Sequence, residues 1–98
     1  MTTKLSQTEK RYSRYLGNLY YDMRWGRLVI VENVKKNEYS NMYYVHYTIL
    51  DRAEQKTKNK PAIDFERDIK SSIILEVNSE EQYNTFRNQF NNGNRILK

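Results

Sequence analysis

The sequence has no cysteine, and its 98 residues include only one histidine and one proline. Without cysteine there can be no disulfide, no thiolate metal site and no cysteine nucleophile. The single histidine, His46, would need three carboxylates to complete a zinc site, which is a poor ligand set for that metal. We therefore expect no metal and no cofactor, and a chain without cysteine fits a reducing, cytoplasmic location.

Long hydrophobic runs are missing as well. No stretch approaches the ~20 consecutive apolar residues that a membrane-spanning helix needs. The first residues, MTTKLSQTEKRYSR, contain no apolar segment of the kind found in a signal peptide. We expect a single domain over residues 1–98 that folds without disulfides or metals and does not contact a membrane.

Acidic residues are too few to balance the basic ones, since twelve Asp and Glu face seventeen Lys and Arg and the net charge is +5. The imbalance is local. Residues 1–16 and residues 52–60 each carry four basic side chains and one acidic one, whereas residues 62–83 carry six acidic and two basic ones. This distribution indicates an anionic partner bound by part of the surface, although the same charge is compatible with solubility alone.

A capping box predicts a helix near each end of the chain. The first, at residues 6–9, precedes Tyr12 and Leu16 on one helix face, with Tyr15 at its edge, and Gly17 ends this helix.

The second capping box, at residues 79–82, places acidic side chains at the positive end of the helix dipole. Tyr83, Phe86 and Phe90 are expected to form the buried stripe of this helix. Gly93 ends it, and the short tail that follows is expected to fold back onto the core.

Between the helices, β-branched and aromatic residues predict strands. Residues 19–34 are strand material, in one strand or two, and Gly26 marks a bulge or a close approach of the backbone to another group. Residues 42–50 form the clearest strand and are expected to pair with the preceding one in an antiparallel hairpin, joined by residues 35–41.

The next segment, residues 51–62, is polar and contains the only proline, so we expect an exposed loop. Residues 63–69 alternate apolar and charged side chains and residues 71–77 are rich in isoleucine, so both are predicted strands. The fold class is therefore α+β, with an N-terminal helix, a four- to five-stranded, mostly antiparallel curved sheet or small barrel, and a C-terminal helix.

One pattern loosely resembles the metal-dependent restriction-type nucleases. Asp51 ends a hydrophobic strand, and Asp68-Ile69-Lys70 follows on a later one. The resemblance implies that Asp51 and Asp68 would hold Mg²⁺, with Glu66 as an alternative ligand, and that Lys70 would assist the attacking water. The alternative is a charged face in solvent, because 30% of all residues are charged.

A metal-independent ribonuclease is a further enzymatic hypothesis. It would place His46 and Tyr44 opposite Arg24 or Arg27 across the hairpin, where these side chains could polarise a phosphate.

The segment RWGR, residues 24–27, places a tryptophan between two arginines. On an extended strand, Trp25 and Arg27 would share one face and Arg24 would point to the other. Exposed aromatic rings beside cations are typical of sheets that bind single-stranded nucleic acid. The predicted binding residues are Arg24, Trp25, Arg27, Lys35, Lys36, Tyr44, Tyr47, Lys56, Lys58 and Lys60.

The function predicted from these residues is a small, non-enzymatic module that binds nucleic acid or a nucleoprotein complex. An aromatic surface with arginines also fits a protein-binding patch. The alternative is therefore an inhibitor or adaptor that docks on a host protein, of the kind that phages and mobile elements encode. A structural explanation also remains, in which Trp25 and the tyrosines merely line the rim of a small core.

Overall fold

In the computed structural model, which describes residues 7–92, five strands form one open antiparallel sheet that carries three helices. The elements in chain order are α1 (Gln7–Ser13), β1 (Leu19–Asp22), β2 (Arg27–Lys36), β3 (Tyr43–Ile49), β4 (Thr57–Pro61), α2 (Ala62–Lys70), β5 (Ile74–Val77) and α3 (Glu80–Asn92). The strand order is β4-β3-β2-β1-β5. The predicted α+β class is confirmed, and the sheet is open at β4 and β5 instead of closing into a barrel.

The two faces of the sheet are covered differently. Tyr20 packs edge-on against Phe65 of α2, with ring centres 5.3 Å apart, whereas Tyr21 packs against Tyr83 of α3 at 5.8 Å. Since neighbouring residues of a strand point to opposite faces, α2 and α3 lie on opposite sides of the sheet. The main sheet contacts of α3 are with β1 and β5. On this side of the sheet, β2, β3 and β4 are therefore left largely uncovered.

The N-terminal helix is shorter than expected. It ends at Ser13, and the chain then turns as far as Gly17, whose φ is +77°. Because the helical spacing stops there, Tyr15 is buried and Leu16 is 43% exposed, the reverse of the order predicted. The Ser6 end of the first capping box lies outside the described residues.

Residues 19–34 form two strands, and residues 23–26 are the turn between them. The carboxylate of Asp22 accepts the N–H groups of Arg24 and Trp25 at 2.8 and 3.3 Å, a typical role for Asp in turns. Gly26 has a φ of +68°, and a Cβ at this position would overlap the ring of Phe90. The predicted close approach at Gly26 is therefore confirmed, whereas the expected strand alternation from Trp25 to Arg27 is wrong.

Two predictions for the middle of the chain are wrong. The expected loop over residues 51–62 contains β4, which pairs with β3 although its side chains are polar. Polar and lysine-rich sequence is common in edge strands, and a proline is tolerated there. The expected strand over residues 63–69 is α2. Its inward side chains include Ala62, Phe65 and Glu66, which recur at helical spacing, whereas Ile63 is 48% exposed.

The C-terminal helix begins as predicted. The Ser79 hydroxyl accepts the N–H of Gln82 at 3.1 Å, and the Gln82 side chain accepts the N–H of Asn78 at 2.6 Å. The predicted stripe of Tyr83, Phe86 and Phe90 is half-buried. Gly93 and the tail after it lie outside the described residues. Like the other helices between residues 7 and 92, α3 is not long and apolar enough to cross a membrane.

Candidate functional site

Ion pairs engage half of the basic side chains of residues 7–92, but the four carboxylates that take part carry less charge than their seven cationic partners. Residues 7–92 contain fourteen lysines and arginines, and seven of them form an ion pair with a carboxylate. The other seven form no ion pair within this part of the chain, and five of them line two grooves on the sheet. These five are Arg27, Lys56 and Lys58 in one groove and Lys35 and Lys36 in the other.

Arg11 of α1 and Arg14 of the turn that follows it belong to the paired half. Arg11 donates to both carboxylate oxygens of Glu66, and Arg14 and the hydroxyl of Tyr15 each donate to one of them at 3.1 Å. Glu66 is only 3% exposed. The hydrogen bond from Arg11, assisted by that from Tyr15, lowers the pKa of Glu66 to about 2, although burial opposes the shift. Much of the basic charge predicted for residues 1–16 therefore serves the core.

The turn between β1 and β2 holds Trp25 at the surface. Its side chain is 59% exposed, and the guanidinium carbon of Arg27 lies 5.8 Å from the centre of its ring. Arg52 fixes the turn from the other side, because its guanidinium donates to the carbonyl of Gly26 at 3.0 Å. The indole is thus presented to solvent by a hydrogen-bonded turn and carries a cation against one face.

The first groove, which we name the basic groove, lies beside this turn on the α2 face of the sheet. It encloses about 450 Å³. Its floor contains Ile49 and Ala53, and its charged lining residues are Arg27, Arg52, Lys56, Lys58 and one acid, Glu54. Because α2 crosses the sheet from the end of β4 to the start of β5, it leaves this corner of the face open.

Arg27 has an unused donor in the basic groove. Its Nε–H is buried and has no hydrogen-bond acceptor among residues 7–92. A buried donor without an acceptor costs free energy, about 1–3 kcal/mol when no water replaces the acceptor.

Two predicted binding residues lie at the border of the basic groove and have a structural partner. Lys60 of β4 and Arg24 of the turn both contact the buried carboxylate of Asp68, at 3.0 and 3.4 Å. The Lys60 side chain is 19% exposed and that of Arg24 is 45% exposed. Asp68 therefore connects β4, α2 and the turn. It pairs with two cations, Arg24 and Lys60, that the sequence analysis assigned to partner binding.

The second groove, which we name the tyrosine groove, lies on the opposite face, where β2 and β3 meet the loop between them. It encloses about 480 Å³ and is lined by Lys35, Lys36, Tyr39, Tyr44, His46 and Asn59, with Glu38 as its acid. Strand pairing sets Lys35 opposite Tyr44 and Asn59 opposite His46.

The predicted binding residues are therefore divided between two surfaces. Tyr44 lines the tyrosine groove, but Tyr47, three residues further along β3, points to the other face and is 7% exposed in the core. Tyr47 is not on the surface where we expected it, because residues of opposite parity on one strand cannot share a face.

Sequence reasoning missed Arg52 and Tyr39. Arg52 belongs to the segment that was noted as basic, but nothing in the sequence indicated that it would reach the turn at Gly26. Tyr39 is 95% exposed. Its exposure could have been predicted from its position in a polar turn segment, because an aromatic residue there does not lie on the buried face of a strand or helix.

The residues of the nuclease hypothesis hold the fold together. Asp51 accepts the N–H of Leu28 at 2.9 Å and the hydroxyl of Tyr83 at 3.0 Å. Glu66, Asp68 and Lys70 lie on α2, not on a strand. Among residues 7–92, no three side chains of the metal-binding types come close enough to share an ion.

The ribonuclease arrangement is also not assembled as drawn. Tyr44 and His46 face the tyrosine groove, while Arg27 lines the basic groove on the other side of the sheet.

Comparison of the chain with models of protein families, with curated proteins and with solved structures gives no match.

Proposed function

We propose that this protein is a non-enzymatic module that binds single-stranded nucleic acid through the basic groove and Trp25. The observation that carries the proposal is the gathering of unpaired cations beside an exposed indole. Arg27, Lys56 and Lys58 have no ion-pair partner among residues 7–92, although seven other cations of this part of the chain pair with carboxylates, five of them with the buried acids Glu66 and Asp68.

A phosphate backbone is the ligand that this charge pattern fits best. Lys56 and Lys58 are exposed and lie two residues apart on the β4 side of the groove, and Arg27 and Arg52 lie on the β2 side. Cations on both sides of an open groove can follow a chain of regularly spaced phosphates, as in other proteins that bind single strands.

Trp25 favours a single strand over a duplex. Its ring is exposed and lies next to Arg27, a lining residue of the groove, so an unpaired base could stack on it. Stacking of a base on an aromatic side chain contributes about 1–3 kcal/mol and does not depend on the sequence of bases. In a duplex the bases stack on one another, so the indole would contribute less.

The test is the affinity for a fluorescent single-stranded oligonucleotide, measured by anisotropy over a series of salt concentrations. The wild-type protein should bind more weakly as salt increases, because each neutralised phosphate contributes about −0.7 to the slope of log affinity against log salt. The variant K56E/K58E removes two phosphate contacts. We expect it to bind at least about tenfold more weakly and with a slope shallower by about 1.4.

The matched control is K10E/R67E, which changes the net charge equally at two exposed positions on α1 and α2. This control should retain nearly all of the affinity, since screening limits the reach of an exposed charge to about 10 Å. An affinity that ignores salt, or equal losses in the two double variants, would show that the groove is not the binding site.

Docking on a protein has one feature in its favour. Met42 and Ile63 are 41% and 48% exposed, and they lie together against Tyr12 and Tyr43, in a small depression without charged side chains. Nucleic acid has no need of this patch. The variant M42S/I63S should therefore bind the oligonucleotide as the wild-type protein does, and a loss of binding there would favour an apolar contact surface over the basic groove.

A further inference from the structure

We propose that the tyrosine groove is a second contact surface for the same nucleic-acid strand, which would pass around β4 and touch both faces of the sheet. This inference rests on the proposed function, and it extends the bound segment from one groove to two.

The chemistry of the tyrosine groove fits a polynucleotide. Lys35 and Lys36 are exposed and have no carboxylate partner among residues 7–92, so they can bind phosphates. The ring of Tyr39 is almost fully exposed, at 95%, and that of Tyr44 is half-buried in the groove. Rings beside lysines are the combination that holds unpaired bases and their phosphates.

An ordered loop presents Tyr39. The side-chain oxygen of Asn37 accepts the N–H groups of Tyr39 and Ser40 at 2.8 and 3.0 Å. The backbone N–H of Asn37 donates to the carbonyl of Met42 at 2.7 Å. Little conformational freedom would therefore be lost when a base stacks on this ring, because the backbone that carries it is already fixed.

The position of β4 connects the two grooves. β4 is an edge strand, and no described residue pairs with its outer side. Lys58 lies opposite Tyr47 and faces the basic groove, whereas the next residue, Asn59, lies opposite His46 and faces the tyrosine groove. Since adjacent strands are about 4.8 Å apart, the β2 side chains of both grooves lie about 10 Å from this edge.

Length dependence tests the inference. A short oligonucleotide of about 8 nucleotides can fill one groove, and one of about 20 nucleotides can reach both, given site sizes of roughly 4–16 nucleotides for single binding surfaces. The wild-type protein should bind the long oligonucleotide more tightly. The variants K35E/K36E and Y39A should each weaken binding of the long one about tenfold and leave binding of the short one unchanged.

The outcomes separate the two proposals. With the short oligonucleotide, K56E/K58E should lose affinity, and K35E/K36E should match the control K10E/R67E. If the long oligonucleotide binds K35E/K36E as tightly as the wild-type protein, the second surface is refuted and the basic groove stands. If K35E/K36E loses affinity for both lengths equally, the short oligonucleotide is not confined to the basic groove, and the division of the strand between two surfaces is refuted. If neither oligonucleotide binds the wild-type protein, both proposals are refuted.

Discussion

At the scale of single residues, Glu66 determines where the positive charge of this protein lies. It is buried under Arg11 of α1, Arg14 of the following turn and the hydroxyl of Tyr15, and Lys70 lies at 4.0 Å. A buried carboxylate is costly unless it is paired, and here the pairing holds Arg11 and Arg14 against Glu66 although their side chains are 46% and 60% exposed. The sequence shows these arginines only as part of the basic segment over residues 1–16, and it does not indicate that their partner is a buried glutamate of the same chain.

The variant E66Q tests this role. It removes the charge but keeps the shape, so the charged hydrogen bonds from Arg11 and Arg14 are weakened. We expect a loss of about 2 kcal/mol in the free energy of unfolding at neutral pH, measured by urea denaturation. The exposed substitution E32Q should have no measurable effect.

The pH dependence of this loss gives a sharper check. The pKa of Glu66 is lowered from 4.5 to about 2 in the folded protein, so its stabilising effect is complete above pH 4.5 and is lost as the pH falls toward 2. The difference in stability between wild-type protein and E66Q should therefore shrink over that range. A difference that is absent at neutral pH, or that does not change with acid, would contradict the assigned role.

At the scale of elements, the parts that could be predicted are those whose sequence signal is local. The capping box at Ser79 marks the start of α3, and β-branched and aromatic residues mark β2 and β3. α2 was missed because its inward stripe includes a glutamate and its outer side includes Ile63, so the apolar residues alternate as in a strand. β4 was missed because an edge strand does not need apolar residues to pair with its neighbour.

The turn that carries Trp25 depends on Gly26, and the variant G26A tests this dependence. Alanine at a φ of +68° is strained by about 1 kcal/mol, and its Cβ would also overlap the ring of Phe90. Gly17 provides a matched control, because its φ is +77° but no atom lies within 4 Å of a Cβ there.

We expect G26A to lose more stability in urea denaturation than G17A, by about 1–2 kcal/mol, the usual cost of forcing extra atoms into a packed contact. This difference between the stability losses of G26A and G17A should largely disappear when both substitutions are made in the F90A variant, because the ring that the new Cβ would overlap is then absent. Equal losses in G26A and G17A would show that the contact between the turn and α3 does not constrain the position of Trp25.

At the scale of the whole molecule, the net charge of +5 is less informative than the way it is distributed. The acidic zone over residues 62–83 supplies Glu66 and Asp68, which are buried and neutralise cations from α1, β4 and the turn. Five of the seven cations that form no ion pair within residues 7–92 line grooves on both faces of the sheet. All five cations in these grooves that form no ion pair were among the binding residues predicted from the sequence. They are Arg27, Lys35, Lys36, Lys56 and Lys58.

What the sequence could not provide was the assignment of these residues to two faces. That assignment depends on the register of β3 with its neighbours and on the bulge between Val31 and Asn33. It also depends on the diagonal course of α2, an element that the sequence pattern did not reveal. The sequence also did not reveal that Arg24 and Lys60 would contact the buried Asp68, or that Tyr47 would lie in the core.

The emission of Trp25, the only tryptophan of the chain, reports whether a nucleic-acid strand binds in the basic groove. An oligonucleotide bound in the basic groove would lie against the exposed indole. Titration with a single-stranded oligonucleotide at low salt should therefore change the tryptophan fluorescence, and the change should saturate together with anisotropy. Added salt should reverse it, and K56E/K58E should require a higher oligonucleotide concentration. Binding seen by anisotropy with no change in Trp25 emission would contradict the account.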